Sequence, residues 1–122
     1  MTQSEGTMVE QVAPVVLEQL RTWRASGQAL SRRALAHRCE CSDRVLRFAV
    51  AELRRQGHLI IAEDAGGYRL AQTPEDVEAY VNTLKSRCQA LREIIDRMQA
   101  SSDRQFAGRQ MGLFASPTGD QA

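Results

Sequence analysis

Aromatic residues are scarce in this chain: one Trp, two Tyr and three Phe among 122 residues. Any core must therefore be assembled mainly from aliphatic side chains. Long apolar runs are absent too. No stretch approaches the roughly 18 residues that a membrane-crossing helix needs, so no membrane span is expected. Cysteine is confined to Cys39, Cys41 and Cys88. An odd number cannot form a fully paired disulfide framework, and Cys-x-Cys without a second pair is poor zinc spacing. All three are expected to act as small buried hydrophobes in a reducing cytoplasm. The opening residues, Met1-Thr2-Gln3-Ser4-Glu5-Gly6, lack a basic stretch followed by an apolar one, so no export signal is expected. His37 and His58 stand far apart in sequence and have no ligand or carboxylate constellation around them. No phosphate-cradling Gly loop and no G-x-S-x-G stretch occurs. Neither a catalytic residue, a metal nor a cofactor is expected, and the chain is not expected to be an enzyme. Net charge is nearly absent as well, at +1, which by itself names no nucleic-acid partner.

What the chain does have is concentrated between Leu30 and Leu70. Ser31 is a good N-cap for a helix over Arg32–Arg38, with Leu35 as its main core residue. Ser42 caps a further helix, and Asp43 places a carboxylate at its positive end. Leu46, Val50 and Leu53 recur at spacings of four and three, which gives that helix one buried face. Gly57 closes it, because glycine enters the left-handed conformation without a Cβ clash. Leu59-Ile60-Ile61 is a β-prone run, Glu63 to Gly67 a turn, and Tyr68-Arg69-Leu70 the returning strand. Gln28-Ala29-Leu30 is suited to a third strand. Upstream, Val16, Leu20 and Trp23 share one face of a helix expected from about Val12 to Ala25, with Pro14 in its opening turn. Trp23 is expected as a core anchor. Residues 1–8 are expected to be disordered.

The stretch resembles the winged helix-turn-helix domain, of the kind found in biotin-repressor-like proteins and in many small bacterial and phage proteins. The residues that carry the resemblance are Leu30-Ser31, Ala34-Leu35-Ala36, Ser42, Leu46, Val50, Leu53, Gly57 and the Gly66-Gly67 hairpin. With the preceding helix it covers residues 9–72. The fold class implied is mainly α with a small β-wing, followed by a long C-terminal helix. In one respect the chain departs from the pattern: Glu40 stands in the inter-helix turn, where Gly is frequent. A non-glycine residue at positive φ is uncommon, so a different turn backbone is expected there.

The resemblance implies double-stranded DNA as partner, with the helix after Ser42 entering the major groove. The local charge agrees. Between Leu30 and Gln72 there are eight Arg against five acids, a clustering that suits a DNA-facing surface. Ser42, Asp43, Arg44, Arg47 and Phe48 lie on the outward side of the helix. Arg44 and Arg47 have the forked donors that read guanine O6 and N7. Phe48 suits packing against the C-terminal helix or, alternatively, contact with thymine methyls. Arg32, Arg33, Arg54 and Arg55 suit phosphates, which position without specifying. Arg69 is the one basic residue of the wing, a weak contact beside Glu63 and Asp64.

Thr73-Pro74-Glu75-Asp76 starts another helix: cap, Pro at the first position, acids in the first turn. It is expected over residues 73–100. Val77, Val81, Leu84, Cys88, Leu91, Ile95 and Met98 follow at spacings of 4, 3, 4, 3, 4 and 3, an a/d stripe. Tyr80 and Ile94 widen it. A homodimer is expected through this stripe, with packing on its own domain as the alternative.

From Ser101 the composition turns to Ser, Gly, Gln and Pro, and residues 101–122 are expected as a disordered tail. Gln110-Met111-Gly112-Leu113-Phe114 resembles the bacterial sliding-clamp-binding pentapeptide. In that family Gln110 would bond at a groove rim, while Leu113 and Phe114 fill its apolar pocket. The alternative is that Phe106, Leu113 and Phe114 fold back on the protein itself. These readings together imply a dimeric, cytoplasmic DNA-binding protein acting as a replication or mobile-element accessory factor. The rivals are a small transcriptional regulator without clamp binding and a protein–protein adaptor that uses the fold without DNA.

Overall fold

The computed structural model describes residues 3–108, and the chain divides into two units after Val81. It is mostly helical with a small three-stranded antiparallel sheet. The first unit contains α1 (Gln3–Trp23), a 3-10 turn at Arg24–Ser26, β1 (Leu30–Ser31), α2 (Arg32–Arg38), α3 (Asp43–Arg55), β2 (Ile60–Ala62), β3 (Gly67–Leu70) and the opening turns of α4 (Pro74–Gln105).

The core is aliphatic. Val16, Leu20, Leu35, Leu46 and Val50 are its largest fully buried side chains. Fully burying each contributes about 1.5–3 kcal/mol of hydrophobic transfer. On α3 the inward face is Val45, Leu46, Ala49, Val50 and Leu53, and the largest helix–helix contact is α3 on α1. Trp23 is half-buried against this cluster. Its indole N–H finds no acceptor among the described residues, and the Arg38 guanidinium lies over its ring, 5.2 Å from the centroid.

The start of α1 departs from expectation. The helix begins at Gln3, not Val12, so residues 3–8 are helical rather than disordered, and Pro14 sits inside it. An interior proline removes one backbone bond and crowds the preceding turn. The helix continues through it because Val9, Ala13, Val16, Leu17 and Leu20 form one buried stripe spanning the proline. Pro14 and Glu10 are both exposed, so water can reach the carbonyl left without its donor.

The sheet has the order β1-β3-β2, all antiparallel. Leu30 stands opposite Tyr68, and Ala62 lies on the other side of the same Tyr68. A Cβ on Gly67 would lie 2.7 Å from the Leu30 carbonyl oxygen, so this close strand approach admits only glycine. Ser31 ends β1 and caps α2, its hydroxyl accepting from the Ala34 N–H at 3.1 Å. Ser42 does the same for α3, accepting from the Val45 N–H at 3.1 Å.

The turn between α2 and α3 keeps the left-handed backbone despite its glutamate. Glu40 has φ 54°. The Cys41 N–H reaches the Ala36 carbonyl at 3.0 Å, and the Glu40 N–H reaches His37 at 3.1 Å. These two bonds are the Schellman pair that closes a helix. At the end of α3 the same pair recurs, from His58 to Leu53 and Gly57 to Arg54, there with glycine at the left-handed position. The expectation of a different backbone at Glu40 is therefore corrected: two satisfied carbonyls outweigh the Cβ penalty of about 1–2 kcal/mol.

The second unit opens with α4 already under way. The helix runs to Gln105 rather than ending near residue 100, so Ser101 to Gln105 belong to it and not to a tail. Strong helix formers (Leu, Lys, Arg, Gln, Glu, Ala, Met) make up most of residues 84–100, and side-chain pairs such as Gln89 to Glu93 at 3.3 Å support it locally. No residue of α4 is buried.

Replacing Glu40 with glycine relieves the left-handed strain and keeps both turn bonds. Glu40→Gly should raise stability by about 1 kcal/mol, read as a higher midpoint in urea unfolding with an unchanged slope.

Candidate nucleic-acid interface

Burial of Val45, Leu46, Ala49 and Val50 leaves Asp43, Arg44, Arg47 and Phe48 on the exposed side of α3. Asp43 lies at the centre of this side. Its carboxylate meets the Arg32 Nε at 3.3 Å and the Arg47 Nε at 3.4 Å, with all three side chains at least half exposed. One acid thus ties the first residue of α2 to the first turns of α3. Arg44 lies over the Phe48 ring at 5.0 Å from its centroid. Phe48 stays on the outward face at 36% exposure, with Arg44 as its ring partner. The Ser42 hydroxyl is spent on the cap. Arg33 is exposed beside Arg32.

Three of the arginines expected at DNA, Arg54 and Arg55 at phosphates and Arg69 in the wing, have partners within the fold. Arg54 donates through Nε to the Ile60 carbonyl at 3.0 Å and through Nη2 to the Tyr80 hydroxyl at 3.0 Å. Its guanidinium also covers the Tyr80 ring. It serves as a clamp joining α3, β2 and the start of α4. Arg55 is exposed but pairs with Glu52 at 3.0 Å. Arg69 is only 19% exposed and pairs with Glu63 and, through two bonds of 2.9 and 3.2 Å, with Asp76. Two carboxylates thus offset its charge within the fold.

Asp76 is the hub of that last group. It also accepts from the Gln72 N–H at 2.9 Å, while its own N–H donates to the Thr73 hydroxyl at 3.1 Å. Bonding to Arg69 first, and to the Gln72 and Thr73 backbone, lowers the Asp76 carboxyl to about 2. Bonding to Asp76 first, and then to Glu63, raises Arg69 above its ordinary value. Sequence reading took Asp76 only as a first-turn acid, because no spacing rule connects it to Arg69 across the sheet and the loop.

Among the cysteines only Cys39 is buried, while Cys41 is half-buried and Cys88 exposed. The expectation of three buried thiols is corrected at Cys88. Burial, and then the neighbouring Cys41, pushes the Cys39 thiol up to about 11. Burial, followed by the Asp43 charge, raises Cys41 as well. Both are poor thiolates at neutral pH. No group of three metal-ligating side chains occurs among the described residues.

On α4, Val77 is half-buried, but Val81, Leu84, Leu91, Ile94, Ile95 and Met98 are 38–68% exposed. Phe106 is exposed as well, and the pentapeptide residues Gln110, Met111, Leu113 and Phe114 lie outside the described residues. No described helix is long and apolar enough to cross a membrane.

Neither a protein-family model, a curated protein nor a solved structure matches this chain.

The depressed Asp76 carboxyl ties stability to pH. Its contribution is fully present above the ordinary carboxyl value of 3.8 and is lost as pH falls from about 4 through 2. Asp76→Asn should lower stability at neutral pH and flatten that part of the acid limb, measured by denaturant titration at a series of pH values.

Proposed function

We propose that this chain is a winged-helix protein that binds double-stranded DNA. The reading is carried by one observation: Arg44 and Arg47 stand on the exposed side of α3, opposite its buried face, with Arg32 and Arg33 alongside. α3 enters the major groove and β2–β3 forms the wing. Arg44 and Arg47 read base edges, while Arg32 and Arg33 meet phosphates. The hairpin contributes little grip, since Arg69 is neutralised within the fold and Asp64 is exposed at the turn. Two copies associate through the apolar stripe of α4, which suits a two-fold-related site.

The sequence of the C-terminal segment supports a partner as well. Gln110, Leu113 and Phe114 follow the pattern of a sliding-clamp ligand, which favours a cytoplasmic replication or mobile-element accessory factor over a transcriptional regulator. A protein–protein adaptor without DNA is the reading that the internal pairing of Arg54 and Arg69 favours.

Fluorescence anisotropy with duplex oligonucleotides separates these. DNA affinity should fall with salt, with a logarithmic slope of about −2 per copy for the phosphate contacts at Arg32 and Arg33. Arg44→Ala combined with Arg47→Ala should weaken binding at least about tenfold, given roughly 1–3 kcal/mol for each base-reading pair. Undiminished affinity in that variant, or no shift by the parent at low salt, removes the DNA reading. Leu113→Ala combined with Phe114→Ala should abolish capture by purified sliding clamp and leave DNA affinity unchanged. Equal capture by parent and variant removes the clamp ligand.

A further inference from the structure

The apolar stripe of α4 has an ordered charge pattern along its edges, and that pattern distinguishes between ways of pairing. In heptad terms Val81, Cys88 and Ile95 occupy a, while Val77, Leu84, Leu91 and Met98 occupy d. The e edge is then Glu78, Lys85, Arg92 and Gln99. The g edge is Tyr80, Arg87, Ile94 and Ser101. A parallel pair sets each g residue against the e residue five places on in the other helix. Arg87 would face Arg92 of the second copy twice over, and no opposite-charge pair offsets it.

Antiparallel pairing sets a against d, e against e and g against g. Two antiparallel registers close six core layers each. In the first, Leu84 faces Cys88, Val81 faces Leu91, and Val77 faces Ile95. Glu78 then meets Arg92 of the second copy on both sides. Ile94, the exposed apolar residue outside the stripe, meets Tyr80. Lys85 and Arg87 each meet their own equivalent, once, at the axis. The second register, slid by seven residues, sets Lys85 against Arg92 twice and Ile94 against Arg87. It gives no opposite-charge pair.

Resting on the dimer reading above, we infer that a second copy of this chain covers α4 antiparallel, with Leu84 against Cys88 and Glu78 against Arg92. Charge complementarity and the placement of Ile94 both select this register. The two-fold axis crosses the helix pair at the level of Ser86, midway between the Leu84 and Cys88 layers.

Native Cys88 tests the arrangement. In a parallel pair the two Cys88 residues share a layer and oxidise to a disulfide. In the inferred pair they stand four residues apart along the axis, roughly 6 Å of rise added to a helix separation of about 8–10 Å. That exceeds the reach of a disulfide, about 7 Å between Cα atoms. The full-length protein, Leu84→Cys, Cys88→Ala and the double variant are each sized by sedimentation equilibrium. They are then oxidised with copper phenanthroline and run on non-reducing gels. The expected result is a dimeric mass for the parent and no link dependent on Cys88. Leu84→Cys should give a covalent dimer in high yield, which disappears when Cys88→Ala is added. A Cys88-dependent link in the parent, or a link in the double variant, overturns the arrangement in favour of parallel helices. A dimer in which Leu84→Cys forms no link overturns the register. A monomeric parent overturns the pairing itself, and its DNA affinity, measured on the same sample, shows whether the α3 reading stands without it.

Discussion

Val45, Leu46, Ala49, Val50 and Leu53 of α3 are buried in one cluster with Val16, Leu17 and Leu20 of α1, and the placement of every exposed group on α3 follows from that burial. A helix closed on one side by five aliphatic residues has no freedom to rotate. Turning it by one residue position, about 100°, would expose several of them at a cost of about 1.5–3 kcal/mol each. Arg44 and Arg47 therefore point outward as a consequence of core packing, and no interaction of their own is required to hold them there. The two serine caps add to this by fixing where α2 and α3 begin, which sets the rotational phase of each helix at its first turn.

The charged residues divide into two populations that composition cannot separate. Arg32, Arg44 and Arg47 lie on the open side of α2 and α3, with Asp43 between Arg32 and Arg47. Arg54 and Arg69 are spent on joining elements: one reaches β2 and the Tyr80 hydroxyl, the other Glu63 and Asp76. A guanidinium with donors on several sides is suited to either task. What decides is whether acceptors lie within reach once the chain has folded. The local excess of positive charge is thus greater in the sequence than on the surface.

Much of the first unit was legible because its signals are local. The Ser31 and Ser42 caps, the spacings of four and three along α3, Gly57 at its end and the Gly66-Gly67 hairpin each act within a few residues. The elements misread depend on tertiary support. Pro14 looked like a helix start, since its effect on the backbone is local and unfavourable. The buried stripe that carries α1 through it becomes decisive only when α3 is in place. Glu40 looked incompatible with the left-handed turn on the same reasoning, yet the Cys41 and Glu40 N–H bonds hold it. Arg54 with Tyr80 and Arg69 with Asp76 were illegible because each pair bridges elements that no periodicity connects. The α4 stripe was legible as a repeat, whereas its exposure is a property of the folded chain.

Asp76 has a further consequence through the two tasks it performs. It holds Arg69 of β3 with both oxygens, and its backbone N–H is itself capped by Thr73 at the head of α4. The hairpin and the first turn of α4 therefore loosen together. Fraying at Thr73 withdraws the aspartate from Arg69 and leaves that cation with Glu63 alone. Strand and helix are thus mechanically geared through a single carboxylate, and amide exchange protection along β3 and across residues 74–77 should rise and fall as one cooperative unit.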